Sequence, residues 1–225
     1  MKTNSAKSQL SASVVICTRN RASYLGNTIR KAALQEPPMG GFEILVVDNG
    51  STDHTAEVVK ECWSSINTVI VRYVLETQVG LSSARNRAIV EAKGRFLCFL
   101  DDDAVPEPEW LQRLCAVFEQ SEQIMCAGGG IMPEYETTPP AWFDNQCEGI
   151  FKPTFKHPAR HCTSYPYYPY GANFAVRISA FSIVGSFDAQ LGYMGTSLVP
   201  GEETEFLRRI ERAGYQIMID PSAMV

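Results

Sequence analysis

The chain has 225 residues, 45% hydrophobic and 20% charged, an ordinary globular composition with enough apolar material for one generous core. Its formal charge of −5 and pI near 5.3 argue against nucleic acid as the main partner, because phosphate backbones bind basic surfaces. No stretch approaches the roughly 18 apolar residues of a membrane-spanning helix, and Met1-Lys2-Thr3-Asn4-Ser5-Ala6-Lys7-Ser8-Gln9 lacks the apolar centre of a secretory signal.

Strand-like and helical patterns alternate along the first half. Ser13–Cys17 reads as a strand and is followed by a helix near 23–34. Glu43–Val47 is a second strand, with a helix near 54–62. Val69–Val74 is a third, leading to a helix from Ser82 to Ala92 that Lys93-Gly94 stops. The strand 95–100 precedes a helix near 108–120, with Leu111, Leu114, Cys115 and Phe118 on one face. Alternation with short links predicts an α/β fold: a single doubly wound, mostly parallel sheet with flanking helices. The segment 133–170 is rich in proline and aromatic residues, and a connection of that length is functional or mobile. Its rings, Trp142 among them, suit sugar faces, although a single ring more often pins a loop to the core. Beyond it, Val176–Val184 reads as a helix. So does 202–213, where Phe206, Leu207, Ile210 and Ala213 share a face and Gly214 provides the stop. Tyr215–Pro221 closes the fold as a strand. No internal repeat or linker divides the chain, which reads as a flexible segment, 1–10, and one domain, 11–225.

Polar clusters fall where the strands end. They are Thr18-Arg19-Asn20-Arg21, then Asp48-Asn49-Gly50-Ser51-Thr52-Asp53, then Asp101-Asp102-Asp103. In an open α/β sheet, ligands bind in the crevice beyond the carboxyl ends of the strands. Three carboxylates at the end of the buried run Phe96–Leu100 repel one another unless something positive lies between them. A hard divalent cation, Mg²⁺ or Mn²⁺, suits such oxygen donors and usually shares them with substrate phosphates. The alternative is that Asp103 only opens the next helix and its neighbours are solvated. The loop after the first strand has no glycine, so neither a dinucleotide fingerprint nor a Walker loop is present. Bound phosphates would then be neutralised by the cation and by arginines: Arg19, Arg21, Arg85 or Arg87. Arg87 reads better as a solvated helix face, and for Arg85 both readings stand. Asp48 is placed to accept hydrogen bonds from a base or ribose, whereas Asp53 suits a helix N-cap. The seven cysteines are scattered without a C-x-x-C and read as reduced thiols of a cytosolic protein. His54, His157 and His161 show no ligand spacing and read as solvated.

Seven motifs occur in order: Ser13-Val14-Val15-Ile16-Cys17-Thr18-Arg19-Asn20-Arg21, Val47-Asp48-Asn49-Gly50-Ser51-Thr52-Asp53, Gly80-Leu81-Ser82-Ser83-Ala84-Arg85-Asn86-Arg87, Phe99-Leu100-Asp101-Asp102-Asp103, Gly171-Ala172-Asn173-Phe174-Ala175, Gly185-Ser186-Phe187-Asp188 and Gly201-Glu202-Glu203-Thr204-Glu205. As a set they resemble family 2 glycosyltransferases of the GT-A fold, from about residue 11 to the last residue. The resemblance implies inverting transfer of a sugar from a nucleotide-sugar, such as a UDP-sugar, to a glycan or lipid-linked acceptor in polysaccharide biosynthesis. It also implies help from Mn²⁺ or Mg²⁺ bound at the DXD motif.

Carried onto these positions, the resemblance implies that Thr18, Arg19, Arg21, Asp48, Asn49, Ser51, Arg85, Asp101 and Asp102 serve the nucleotide-sugar. Asp103 would be the principal metal ligand, with Asp101 beside it. Trp142, Gly171, Ala172 and Asn173 would lie on the sugar and acceptor side. The acidic pair Glu202-Glu203 stands where the family usually carries Glu-Asp, which makes Glu203 the general base and Glu202 the runner-up. Relatives commonly carry a histidine metal ligand two residues past Val225, so the resemblance also implies a domain cut short at its C-terminal end. A cytoplasmic location, compatible with the cytoplasmic face of a membrane, goes with this assignment. Two alternatives stand beside it. Leu100–Val105 fits the D-x-D-x-V pattern of aspartyl-phosphate phosphatases of the haloacid dehalogenase type, though three β/α units precede it here. The other is a non-catalytic nucleotide-sugar binding module.

Overall fold

The computed structural model describes residues 10–140, 142, 143, 147, 157–194 and 197–225. The segment 1–9, most of the stretch expected to be flexible, and part of the aromatic-rich segment lie outside these residues. The elements run β1 (Leu10–Thr18), α1 (Ala22–Ala32), β2 (Phe42–Asp48), α2 (Thr55–Ser65), β3 (Ile70–Leu75), α3 (Leu81–Glu91), β4 (Gly94–Leu100), α4 (Trp110–Phe118) and β5 (Ile124–Gly130). There follow β6 (His161–Thr163), β7 (Asn173–Arg177), α5 (Ser179–Val184), β8 (Gly192–Met194), β9 (Ser197–Val199), α6 (Glu202–Arg212) and β10 (Gln216–Met224).

Eight strands form one sheet in the order β3-β2-β1-β4-β7-β5-β10-β6, and β8 and β9 make a separate antiparallel pair. The four strands from β3 to β4 are parallel, as are β5 and β10. Between these sets β7 runs antiparallel to both β4 and β5, and β6 runs antiparallel to β10 at the edge. The sheet is therefore mostly parallel but mixed.

The apolar strands of the first half are continuous because both faces are covered. Side chains alternate along a strand, so Val14, Ile16, Ile44, Val46, Phe96 and Cys98 face α1, α2 and α4. Val15, Leu45, Val47, Leu97 and Phe99 join Ala84, Ala88, Phe206, Leu207 and Ile210 on the other face. Each fully buried large side chain of this kind contributes about 1.5–3 kcal/mol over an exposed one.

Four parts of the sequence reading are corrected. The helix expected over 176–184 divides into β7 and the short α5. Every residue of Asn173–Arg177 is buried, and a short run buried on all sides has no period that separates strand from helix. The strand β5 was not anticipated, and it ends in Gly128-Gly129-Gly130, residues with no strand preference of their own. The glycines are there for close packing. A Cβ on Gly128 would lie 2.1 Å from the ring of Pro169, and one on Gly129 would lie 1.9 Å from the Ala223 carbonyl. Likewise Gly94 opens β4 instead of merely stopping the preceding helix, and its α-carbon packs so closely on β1 that a Cβ would lie 2.3 Å from Ala12. Leu10, placed in the flexible segment, is the first residue of β1.

Candidate active site

The carboxyl ends of β1, β2 and β4 open into a cleft of about 430 Å³. Cys17, Thr18, Arg19, Arg21, Asn49 and Asp101–Asp103 line it, with Leu81 and Ala84 of α3 and Tyr193 of β8. Strand-end convergence was expected; Tyr193 was not singled out in the sequence, and Leu81 only as part of the Gly80–Arg87 motif.

The triplet is gripped by α1 and the end of β1. Thr18 Oγ1 donates to Asp102 Oδ2 at 2.7 Å, and Thr28 Oγ1 donates to the Asp102 carbonyl at 2.9 Å. Arg21, at the start of α1, bridges two of the three carboxylates. Its Nε lies 2.9 Å from Asp102 Oδ1, and its Nη2 pairs with Asp103. The guanidinium also lies over the Tyr24 ring, 4.8 Å from its centroid. Burial pushes the Asp102 carboxyl up to about 6 against the opposing hydrogen bond from Thr18 and the charge of Arg21. Burial raises Asp101 as well, opposed by the charge of Arg85. Asp103 is the most open of the three, with its side chain 48% exposed. Burial pushes the Cys17 thiol up to about 12, so it lines the cleft as a neutral group and not as a thiolate nucleophile.

Arg19 differs from these. Its Nη1 is buried and has no hydrogen-bond partner among the described residues. A buried donor without a protein partner is costly, and this one belongs to a residue that lines the cleft.

Other expected site residues are held behind the cleft. Asp48 is 2% exposed; it accepts from the Ser51 N–H at 2.8 Å and from the Tyr73 hydroxyl at 2.7 Å. Ser51 in turn accepts from the Asn20 N–H at 2.9 Å. Asn49 lines the cleft, but its side chain is spent on the loop before α3, donating to the Gln78 carbonyl and accepting from the Gly80 N–H, each at 2.7 Å. Asp53 holds helix starts, accepting from the Thr55 N–H at 3.1 Å and the Ala22 N–H at 3.2 Å. Arg87 pairs with Glu91 along the exposed face of α3.

Arg85 does not line the cleft. Only 3% exposed, it forms a buried ion pair with Glu202, Nη1 to Oε1 at 2.6 Å. Asn173 is likewise fully buried, and its amide donates to the carbonyls of Gly130 (2.7 Å) and Ala223 (2.8 Å). It also accepts from the Trp110 indole at 2.7 Å. Gly171 lies beside both Arg85 and Glu203. Trp142 is 74% exposed and meets Phe143 edge-on. Burial raises the Glu203 carboxyl, and the charge of Glu202 adds to the rise while Arg85 opposes it.

Comparison with known proteins gives this arrangement a family. Residues 13–183 match the profile of glycosyl transferase family 2. A glucosyl-dolichyl phosphate glucuronosyltransferase of Haloferax volcanii is 24% identical over 96% of this chain and 68% of its own length. The glycosyltransferase AglE of the same organism is 34% identical over 45% of this chain and 33% of its own length. Among solved structures, a mannosyltransferase from Pyrobaculum calidifontis in complex with GDP-Man and Mn²⁺ superposes with a TM-score of 0.73 at 18% identity, over 95% of this chain and 55% of that one. Staphylococcus aureus TarS in complex with UDP gives 0.68 at 20% identity, over 96% of this chain and 61% of that one. The chain thus spans from a third to about two thirds of the length of these proteins. The match leaves the phosphatase alternative without support. From its profile match and its sheet, this chain belongs to glycosyl transferase family 2 and has the GT-A fold.

Proposed function

We propose that the chain transfers a sugar from a nucleoside-diphosphate sugar, most simply a UDP-sugar, to a hydroxyl of a glycan or lipid-linked acceptor, with inversion. The observation that carries this reading is the unpartnered buried Nη1 of Arg19 in a cleft that ends on three aspartates. A phosphate or base carbonyl oxygen supplies the acceptor that Arg19 lacks. The bound nucleotide of the TarS complex and the GDP-Man of the Pyrobaculum complex are of that chemistry. The dolichyl phosphate in the name of the Haloferax relative supports a lipid-linked acceptor.

The donor set also fits a divalent cation. No group of three acidic, histidine or cysteine side chains is gathered for one among the described residues. A Mg²⁺-like ion needs no such group when substrate phosphates and water complete its shell around one or two carboxylates. Asp103, with Asp101, would hold it, and when bound it would supply Lewis-acid stabilisation of the departing diphosphate. Arg19 and Arg21 steady the negative charge of the phosphates. Glu203 takes the proton of the acceptor hydroxyl as that oxygen attacks the anomeric carbon. A single displacement at that carbon inverts its configuration.

Calorimetric titration with UDP, with and without Mn²⁺, tests the reading together with turnover of a UDP-sugar panel. UDP should bind more tightly with Mn²⁺, and Asp103→Ala should abolish that difference. Glu203→Gln should lower turnover by roughly two to four orders of magnitude and leave UDP affinity unchanged. Unaltered Mn²⁺ dependence in Asp103→Ala would remove Asp103 as a ligand. UDP binding by a wild-type chain that turns over no nucleotide-sugar would leave a binding module.

A further inference from the structure

Arg85 is buried among three phenylalanines. Its guanidinium carbon lies 5.3 Å from the ring centroid of Phe174, 5.6 Å from Phe187 and 5.8 Å from Phe99. A cation so enclosed is expensive to desolvate unless it is paired. Its partner is Glu202, itself only 3% exposed, at 2.6 Å. The second nitrogen reaches the Gly171 carbonyl at 3.4 Å. One side chain on α3 therefore ties down the first residue of α6 and the turn that leads into β7. The turn packs closely on this pair: a Cβ at Gly171 would lie 2.8 Å from Arg85 Nη2 and 3.6 Å from Glu203 Oε1, so a larger residue there would push the guanidinium aside. On the far side of Glu202, a Cβ at Gly192 would lie 3.5 Å from its carboxylate and 3.2 Å from Ser82 Oγ, and that hydroxyl donates to the Leu191 carbonyl at 2.7 Å.

We propose that Arg85 and Glu202 are a buried positioning pair that fixes the first turn of α6 and sets Glu203 against Gly171, and that neither binds the nucleotide. The inference rests on Glu203 being the general base. An acidic pair at a helix start gives two candidates for that role, and the ion pair separates them. Glu202 is committed to Arg85. Glu203 also meets the Glu202 carboxyl, but it has no ion pair of its own with Arg85 and is the less buried of the two, so it is the carboxylate placed for a substrate proton. The charged groups facing Glu203 are Glu202 on its own helix and Arg85 from α3; Gly171 contributes none. One guanidinium thus stands against two carboxylates, so the proton affinity of Glu203 depends on both partners. A positioning residue displaced by even about 1 Å can cost about 100-fold in rate.

The test reads Glu203 directly. With glutamate labelled at the carboxyl carbon, NMR follows the Glu203 titration in the full chain, and Glu203→Gln identifies its resonance. Glu202→Gln keeps the shape and removes one negative charge, so the Glu203 midpoint should move to lower pH. Arg85→Met removes the opposing positive charge, so the midpoint should move to higher pH. Arg85→Lys keeps the charge without the planar fork and serves if Arg85→Met does not fold; it should hold the midpoint near the wild-type value while lowering turnover. UDP affinity should stay within about twofold in each folded variant, the span expected for a side chain that makes no ligand contact. A Glu203 midpoint that Glu202→Gln leaves unmoved would overturn the proposal, as would loss of UDP binding in Arg85→Lys. If the midpoint shifts as described while Glu203→Gln still transfers sugar at the wild-type rate, the pair stands and the assignment of the base falls instead.

Discussion

Asn173 sits in a motif that the family resemblance places on the sugar side, yet its side chain is a brace between four elements. The start of β7 is tied through it to the ends of β5 and β10 and to the indole of Trp110 in α4. Replacement by alanine removes three hydrogen bonds inside a site with no exposed surface. The indole N–H of Trp110 is left without its acceptor, at a cost of about 1–3 kcal/mol for a buried orphan. The two carbonyls each lose a bond of about 0.5–1.5 kcal/mol, and that of Gly130 still accepts from the Val225 N–H at 3.1 Å. Together these come to about 2–6 kcal/mol, a large share of the about 5–15 kcal/mol that holds a domain together. Asn173→Asp is the sharper test. It turns a donor that faces two carbonyl oxygens into a buried carboxylate, so it should destabilise more than Asn173→Ala despite its nearly identical shape. Urea unfolding followed by Trp fluorescence measures both variants. A loss below about 1 kcal/mol for Asn173→Ala, or equal tolerance of the two variants, would refute the bracing role. If Asn173 instead held the sugar, stability would be unchanged and only turnover would fall.

At the amino end of the sheet, Glu43 is 1% exposed and accepts from the Ser13 hydroxyl and the Lys93 N–H, each at 2.8 Å, while pairing with Arg72 at 3.1 Å. Glu43→Ala should cost about 3–5 kcal/mol by leaving buried partners behind, and Glu43→Gln less, because its amide oxygen still accepts; an unchanged urea midpoint in Glu43→Ala would contradict this. In the cleft, Arg21 holds Asp102 and Asp103 and so competes with any cation for them. Arg21→Gln should therefore bind Mn²⁺ more tightly than the wild type in the absence of nucleotide, as read by electron paramagnetic resonance, and weaker or equal binding would show that Arg21 is no competitor.

The first half of the fold was legible because its strands are buried on both faces and its helices are amphipathic, two patterns that differ in period and length. Legibility failed where an element's residues were chosen for a neighbour's backbone. Gly128–Gly130 form a central strand only because Pro169, β10 and Met224 approach so closely that no side chain fits. Nothing local in the sequence carries that fact. The antiparallel β7 was lost for a related reason, since its place between β4 and β5 depends on strands more than 40 residues away in the chain.

The candidate site divides along a similar line. Residue type and strand-end position bring Thr18, Arg19, Arg21 and the aspartate triplet to one cleft, and both are visible in the sequence. Which polar groups the protein uses up on itself is not visible. Asp48 and Asn173 are polar residues of the quoted motifs, but each is already engaged by neighbours that only the fold supplies, Asp48 through one bond to each carboxylate oxygen and Asn173 through both amide donors and its oxygen. Arg85 is spent on Glu202 for the same reason, because α3 and the start of α6 meet only in three dimensions. What a cleft offers a ligand is the remainder after this internal pairing. Here the remainder includes a buried nitrogen of Arg19, and beside it stands the half-exposed carboxylate of Asp103, which is paired with Arg21. One is a donor suited to phosphate or a base carbonyl, and the other is an oxygen ligand suited to a hard cation. The proposed reading, a nucleoside diphosphate carried with a cation, rests on that combination.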